Sequence, residues 1–150
     1  MNTQIVRALA LLSGIAVLSA GCGGVVPDGQ PAAAPVDVRE LVASTRSWNG
    51  ALLPGYPPGQ PEITVLRITV PAGARLETHH HPVINAGVLL SGRLTVVSGD
   101  GNTLELKAGE AIVELVGTPH YGVNPGRVPA ELVVFYAGVP GTPITVRTAH

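Results

Sequence analysis

The sequence predicts an all-β sandwich or barrel, and three observations carry that prediction. From Glu62 onward, about eight short runs rich in Val, Ile, Leu and Thr recur at short intervals. Nineteen glycines and fourteen prolines punctuate a chain of 150 residues, which supplies the many turns that short strands need. Almost no stretch repeats its apolar residues with a helical period. Hydrophobic residues make up 45% and charged residues 13%, so the chain can bury a core, and its length suits one domain. Aromatic residues are only 3%, so that core is packed mainly by Val, Leu, Ile and Ala. The formal net charge is −1 and no basic patch is present, which sets nucleic acid aside as a partner.

The amino terminus has the layout of a targeting segment. Arg7 gives a positive flank, and Ala8 to Leu18 is an apolar run too short to span a bilayer comfortably. Leu18-Ser19-Ala20-Gly21-Cys22 resembles a bacterial lipobox, in which the cysteine is acylated and becomes the first mature residue. Leu18 stands four before Cys22 rather than the commoner three, a mild departure. The resemblance implies a signal peptide over residues 1–21, lipidation of Cys22 and a bacterial membrane anchor facing the periplasm or the cell exterior. Gly23, rather than aspartate, implies the outer membrane in a cell that has two. Cys22 is the only cysteine, so no internal disulfide forms.

Residues 22–36 are rich in Gly, Pro and Ala and are expected to form a tether. Residues 37–61 are expected to form a short helix and an arm. Val36 to Thr45 suits the helix because Val38, Leu41 and Val42 share a face. The arm holds Trp48, Tyr56 and several turn-formers, and it either packs over one end of the domain or lends an aromatic ring to a pocket. Residues 62–150 form the domain itself. Its first strand, Ile63 to Val70, alternates Ile, Val, Arg, Thr on one face with Thr, Leu, Ile, Val on the other. Pro71-Ala72-Gly73 turns the chain into Arg75 to His81. Val88 to Val97 follows, broken at Ser91-Gly92, and Gly99-Asp100-Gly101-Asn102 is a hairpin turn. Thr103–Leu106, Ala111–Val116, Ala130–Ala137 and Pro143–Thr148 complete the strands.

Chemistry concentrates at His79-His80-His81. On a strand, His79 and His81 point one way and His80 the other. Two imidazoles two residues apart can hold one metal ion, and His120, from a separate strand, can supply the third ligand. The same residues fall into a wider pattern. Gly73, His79, His81, Asn85 and Gly92 are followed by Gly109, Leu115, Gly117, His120 and Asn124. This resembles the two motifs of the cupin superfamily, G(X)5HXH(X)3-4E(X)6G and G(X)5PXG(X)2H(X)3N, with eight of ten positions matching. The resemblance implies a double-stranded β-helix, the cupin jelly-roll barrel, with a metal inside. It places His79, His81 and His120 at the ligand positions.

Two positions depart from the pattern. Leu115 stands where the family has proline. Asn85 stands at the fourth ligand position, where the family usually has glutamate, and a neutral amide oxygen is a poorer ligand than a carboxylate. Some cupin dioxygenases manage with three histidines, so the departure does not abolish the site. Two acids are candidates to compensate. Glu77 shares a face with His79 and His81 on a regular strand, and Glu114 interrupts the apolar run Ala111 to Leu115. Glu77 could do so as a fourth ligand or as an acceptor for an imidazole N–H, Glu114 is the other candidate, and whichever lies inside is expected to be the general base.

The leading expectation is an envelope protein that binds a divalent transition metal (Fe, Mn, Ni, Zn or Cu) and acts as a dioxygenase-like enzyme on a small oxygen-chelating molecule. A non-catalytic module for a small ligand or metal stays open, as does metal-assisted isomerase or lyase chemistry. Whether the protein is an enzyme at all is therefore undecided at this point. The family resemblance also implies a homodimer.

Overall fold

The computed structural model describes residues 34–148, and among them the fold is all β with no helix. Contact density divides the chain at Asp37, and the unit from Val38 onward is the β domain. The expected signal peptide, the expected lipidation at Cys22 and most of the expected tether fall outside the described residues. Nine strands form: β1 (Glu62–Val70), β2 (His79–His80), β3 (Ile84–Ser91), β4 (Arg93–Ser98), β5 (Thr103–Lys107), β6 (Ala111–Val113), β7 (His120–Val123), β8 (Ala130–Gly138) and β9 (Val146–Arg147). They make two antiparallel sheets. One has the order β1-β8-β3-β6 and the other β5-β4-β7-β2-β9. This is the jelly-roll double-stranded β-helix that the motifs imply.

Alternation explains which faces close on each other. In β8, Leu132, Val134 and Tyr136 are buried, whereas Phe135 between them is 43% exposed. In β4, Leu94 and Val96 turn inward from the opposite sheet. These side chains, with Val70, Leu89, Leu106 and Ile112, form one core. At about 25 cal/mol per Å² of apolar surface, this burial is the main force closing the two sheets. The outer face of β1 and β8 keeps Ile63, Val65 and Phe135 exposed, with Val65 directly opposite Phe135.

The helix expected over Val36–Thr45 does not form. Val38, Leu41 and Val42 are exposed, so the shared face buries nothing. A single short amphipathic turn cannot repay nucleation without such burial. The arm beyond it does pack on the domain. Arg46 bridges Leu52, Trp48 donates its backbone N–H to the Val113 carbonyl at 2.9 Å, and its ring lies against the core. Tyr56 is 79% exposed. Several strand boundaries also differ from the sequence reading: β3 begins at Ile84 rather than Val88, β6 ends at Val113 rather than Val116, and β9 is only Val146–Arg147. Arg75 to His81 is a strand only at His79–His80, with a lone bridge at Arg75, and β7 is an additional strand.

Two residues of the motifs are structural. Gly92, between β3 and β4, has φ +79°, and a Cβ there would meet the Pro129 carbonyl at 2.7 Å and the Ala130 Cα at 2.8 Å. Asn124 is fully buried. Its Nδ2 donates to the carbonyls of Val70 at 3.0 Å and Val128 at 2.8 Å, while its Oδ1 accepts from the Gly126 N–H at 2.9 Å. It therefore ties the end of β1 to the loop before β8. Asn124→Ala leaves these buried groups unpaired and should cost about 2–4 kcal/mol in urea unfolding. Gly92→Ala combines left-handed strain with a backbone clash and should cost at least about 2 kcal/mol by the same measurement.

Candidate metal centre

The site lies between the two sheets, where β2 and β7 pair. His79 is the direct cross-strand partner of His120, so both side chains leave the same face. His81 follows two residues on, held by the Gly117 N–H donating to its carbonyl at 2.8 Å. The three rings converge, with centroids 4.7 to 5.0 Å apart. Their ligand atoms all lie within 4.8 Å of one another. His80 lies outside the cavity that these rings line and pairs with Val146.

Each ring is pinned by its Nδ1. His79 Nδ1 donates to the Glu77 carbonyl at 2.7 Å, His81 Nδ1 to the Ile144 carbonyl at 2.8 Å, and His120 Nδ1 to the Thr118 carbonyl at 2.9 Å. A backbone carbonyl only accepts, so each Nδ1 carries the hydrogen. Each Nε2 is then a bare lone pair, which is what a metal ligand requires. Burial lowers the pKa of all three histidines, that of His81 to about 4, and the neighbouring imidazoles act in the same direction. The rings are therefore neutral at ordinary pH. The trio fits a divalent transition metal: imidazole nitrogens sit about 2.1 Å from such ions, and the three need only draw inward slightly.

The histidines border an apolar cavity of about 450 Å³. Leu66 and Ile68 of β1, Leu94 and Val96 of β4, and Leu132 and Val134 of β8 form its walls. Tyr136, whose ring centroid is 5.4 Å from that of His81, also lines it. Burial, then the charge of Glu114, push its phenol up to about 12, so it stays protonated. Arg75 and Arg147 border the cavity too. The Arg75 guanidinium stacks 3.8 Å from the centre of the Tyr121 ring. Trp48 and Tyr56 do not border the cavity, and Arg67 pairs with Glu131 at 2.6 Å on the surface.

The two acids separate clearly. Residues 76–78 do not continue a regular strand, and Glu77 borders the cavity. Its side chain is 70% exposed and pairs with Arg147 at 2.9 Å. Glu77 also gives the site its backbone carbonyl. Glu114 is buried, and its Oε2 lies 3.6 Å from His120 Nε2, beyond hydrogen-bond length. Burial pushes its carboxyl up to about 7, with the Leu115 amide and His79 partly opposing this. Asn85 is fully buried on the inward face of β3. Its Nδ2 donates to the Val83 carbonyl at 3.2 Å, and its Oδ1 has no partner. The sequence reading missed Tyr136 and the three carbonyls. Tyr136 had a legible signal, since it continues the inward alternation of Leu132 and Val134.

The chain is thus a jelly-roll β-barrel with an interior three-histidine group that could hold a metal ion. Residues 66–136 match the family described as Cupin domain. The match and the fold together support the cupin superfamily. Among solved structures, the DMSP lyase DddQ from Ruegeria pomeroyi is similar at 22% identity over 57% of this chain and 43% of that one, with a TM-score of 0.51. Lactobacillus farciminis oxalate decarboxylase is similar at 20% identity over 57% of this chain and 26% of that one, with a TM-score of 0.51. An oxalate oxidase is similar at 23% identity over 57% of this chain and 46% of that one, with a TM-score of 0.50. The chain spans less than half the length of each of these three, and the likeness is one of fold. No curated protein matches the sequence.

The opposed shifts give a pH dependence for the metal-free protein. Between pH 6.5 and about 4 the unfolded chain protonates a histidine that native His81 leaves neutral, so stability falls as pH falls. His79 and His120 act in the same direction. Glu114 acts oppositely: between pH 4.5 and about 7 the native state holds a proton that the unfolded chain releases. Three histidines against one acid should leave the protein less stable at pH 4.5 than at pH 7. Glu114→Gln removes the opposing contribution and should steepen that loss, as read by melting temperature against pH in chelator.

Proposed function

We propose that this chain is a cell-envelope protein whose cupin domain holds one divalent transition metal on His79, His81 and His120 for dioxygenase-like chemistry on a small oxygen-chelating molecule. The observation that carries the reading is the convergence of three Nε2 lone pairs, each pinned through its own Nδ1, beside an apolar cavity. Fe, Mn, Ni, Zn and Cu all accept imidazole, and an envelope location favours Mn, Ni or Cu over ferrous iron, which is easily oxidised or lost there. When bound, such an ion supplies Lewis acidity and redox chemistry toward a chelating oxygen ligand.

The chain's own residues supply the surroundings. Leu66, Ile68, Leu132 and Val134 line the cavity and favour an apolar body on the molecule bound. Tyr136 offers a hydroxyl that remains a donor, and Arg75 and Arg147 add positive charge toward an anionic oxygen. The lipobox-like run ending at Cys22 supports membrane anchorage. The exposed Ile63, Val65 and Phe135 support a homodimer through the outer sheet face. A second reading, a non-catalytic module for a small ligand or metal, draws on Asn85, the neutral amide where the family pattern has a carboxylate.

Native purification followed by elemental analysis tests the metal. Wild type should carry close to one ion per chain, and His79→Ala and His120→Ala should each lower occupancy at least tenfold. Wild type with no metal, and no gain in melting temperature on adding any of the five, would refute the proposal. Oxygen uptake on diketones, flavonols and catechol-type acids then separates the functions. Metal-dependent uptake supports the oxygenase. Turnover without uptake supports an isomerase or lyase, and a thermal shift without turnover supports the binding module.

A further inference from the structure

We infer that Glu114 is the carboxylate ligand of the metal site, taking over from the neighbouring strand the part that position 85 holds in the cupin pattern. The inference rests on the metal-site reading above. The backbone register supplies its first support. Gly87 pairs with Ile112 and Ala86 with Val113, and the Glu114 N–H donates to the Asn85 carbonyl at 3.0 Å. The next step of the antiparallel ladder therefore sets Asn85 opposite Glu114. Directly opposed residues project from the same face with Cβ atoms about 4.5–5.5 Å apart. Asn85 is fully buried and Glu114 is 8% exposed. The carboxylate has moved one strand sideways, and the amide occupies the position it left.

The second support is what Glu114 faces. Its Oε2 and His120 Nε2 are both buried, and neither has a hydrogen-bond partner. His120 carries its hydrogen on Nδ1, so once Glu114 is ionised Nε2 and the carboxylate oxygen are two acceptors facing each other at 3.6 Å. With the carboxylate ionised no proton lies between them, and with it protonated the gap is still too long for a direct hydrogen bond. One cation satisfies both. Two donors each about 2.1 Å from an ion stand at most about 4.2 Å apart, and the observed separation falls inside that limit.

The third support is how firmly Glu114 is held. Its carbonyl accepts from Ser47 Oγ at 2.8 Å, and the preceding Val113 carbonyl accepts from the Trp48 N–H at 2.9 Å. The arm thus holds the backbone at Val113 and Glu114. Leu115 contributes as well: its backbone N–H lies against the Glu114 carboxyl and favours the charged form. The family's proline has no such N–H. The two departures from the cupin pattern, Asn85 and Leu115, therefore serve one arrangement. Three neutral imidazoles and one carboxylate would leave a divalent ion with one net positive charge. The Glu114 carboxylate is then spent on the ion rather than on a substrate proton.

Titration of the metal-free full chain with Co(II), followed by its visible absorption bands, tests the inference without any assay of activity. Glu114→Gln should weaken Co(II) binding at least tenfold and shift the bands, while its melting temperature without metal confirms that it folds. Glu77→Gln and Asn85→Ala should each stay within about threefold of wild type. The double variant Asn85→Glu with Glu114→Gln should recover affinity to within about threefold, since it returns the carboxylate to β3. If Glu114→Gln binds Co(II) like wild type with unchanged bands, the inference fails and the three-histidine site stands. A tenfold loss in Asn85→Ala would make Asn85 the ligand and overturn it too. A double variant as weak as Glu114→Gln would overturn the exchange between strands. Wild type that binds neither Co(II) nor any of the five metals would overturn both readings together.

Discussion

Three hydrogen bonds, from imidazole Nδ1 atoms to the backbone carbonyls of Glu77, Ile144 and Thr118, set what the barrel interior can do. Without them each ring could carry its hydrogen on either nitrogen, and an inward N–H would repel a cation. With them every inward nitrogen is a lone pair. Two of the carbonyls lie two residues before their own histidine, so the local backbone that presents the ring also fixes its tautomer. The third comes from the segment that leads into β9. Strand β9 in turn pairs with β2, so the short carboxyl-terminal strand is part of how His81 is aimed.

The price of this arrangement is a set of buried polar atoms without partners. Among the described residues these are Trp48 Nε1, Asn85 Oδ1, Glu114 Oε2 and His120 Nε2. Such groups cost about 1–3 kcal/mol each when nothing pairs with them. A fold with a small aromatic content and a Val/Leu/Ile core has little stability to spare for that. Two of the four point at each other, and the other two belong to residues that flank Glu114, on β3 and on the arm. Native folds keep unsatisfied groups where function needs them. Here the cost gathers around one short stretch at β6, which the arm and β3 both hold.

Much of this was legible before any coordinates. The alternation in Ile63 to Val70 survives as β1, whose Leu66 and Ile68 line the cavity while Val65 faces out. The histidine spacing located the trio because side-chain alternation is local and holds over three residues. The failures have equally local causes. A helix over Val36–Thr45 needs a surface to cover its apolar face, and no sequence pattern supplies one. The strand read through residues 75–81 is broken over residues 76–78, and Glu77 borders the cavity while pairing with Arg147. Glu114 could be suspected as an acid in an apolar run. Its proximity to His120 could not, because that depends on how two sheets meet.

The same geometry explains why a ligand motif read along one chain can mislead about its fourth member. Spacing along a strand determines which face a residue takes, and the HXH unit obeys it strictly. A carboxylate, however, needs only to reach the interior at the right depth. On an antiparallel sheet two positions satisfy that condition equally, the one on the strand and the one directly across the ladder. Asn85 and Glu114 are such a pair, linked by a backbone hydrogen bond. Moving the acid from one to the other shifts its Cβ by about 5 Å, a distance that a glutamate side chain can span. The histidines need not move at all. The interior chemistry of the barrel is thus fixed by which residues share a layer between the sheets, and the order in which the chain visits that layer is secondary.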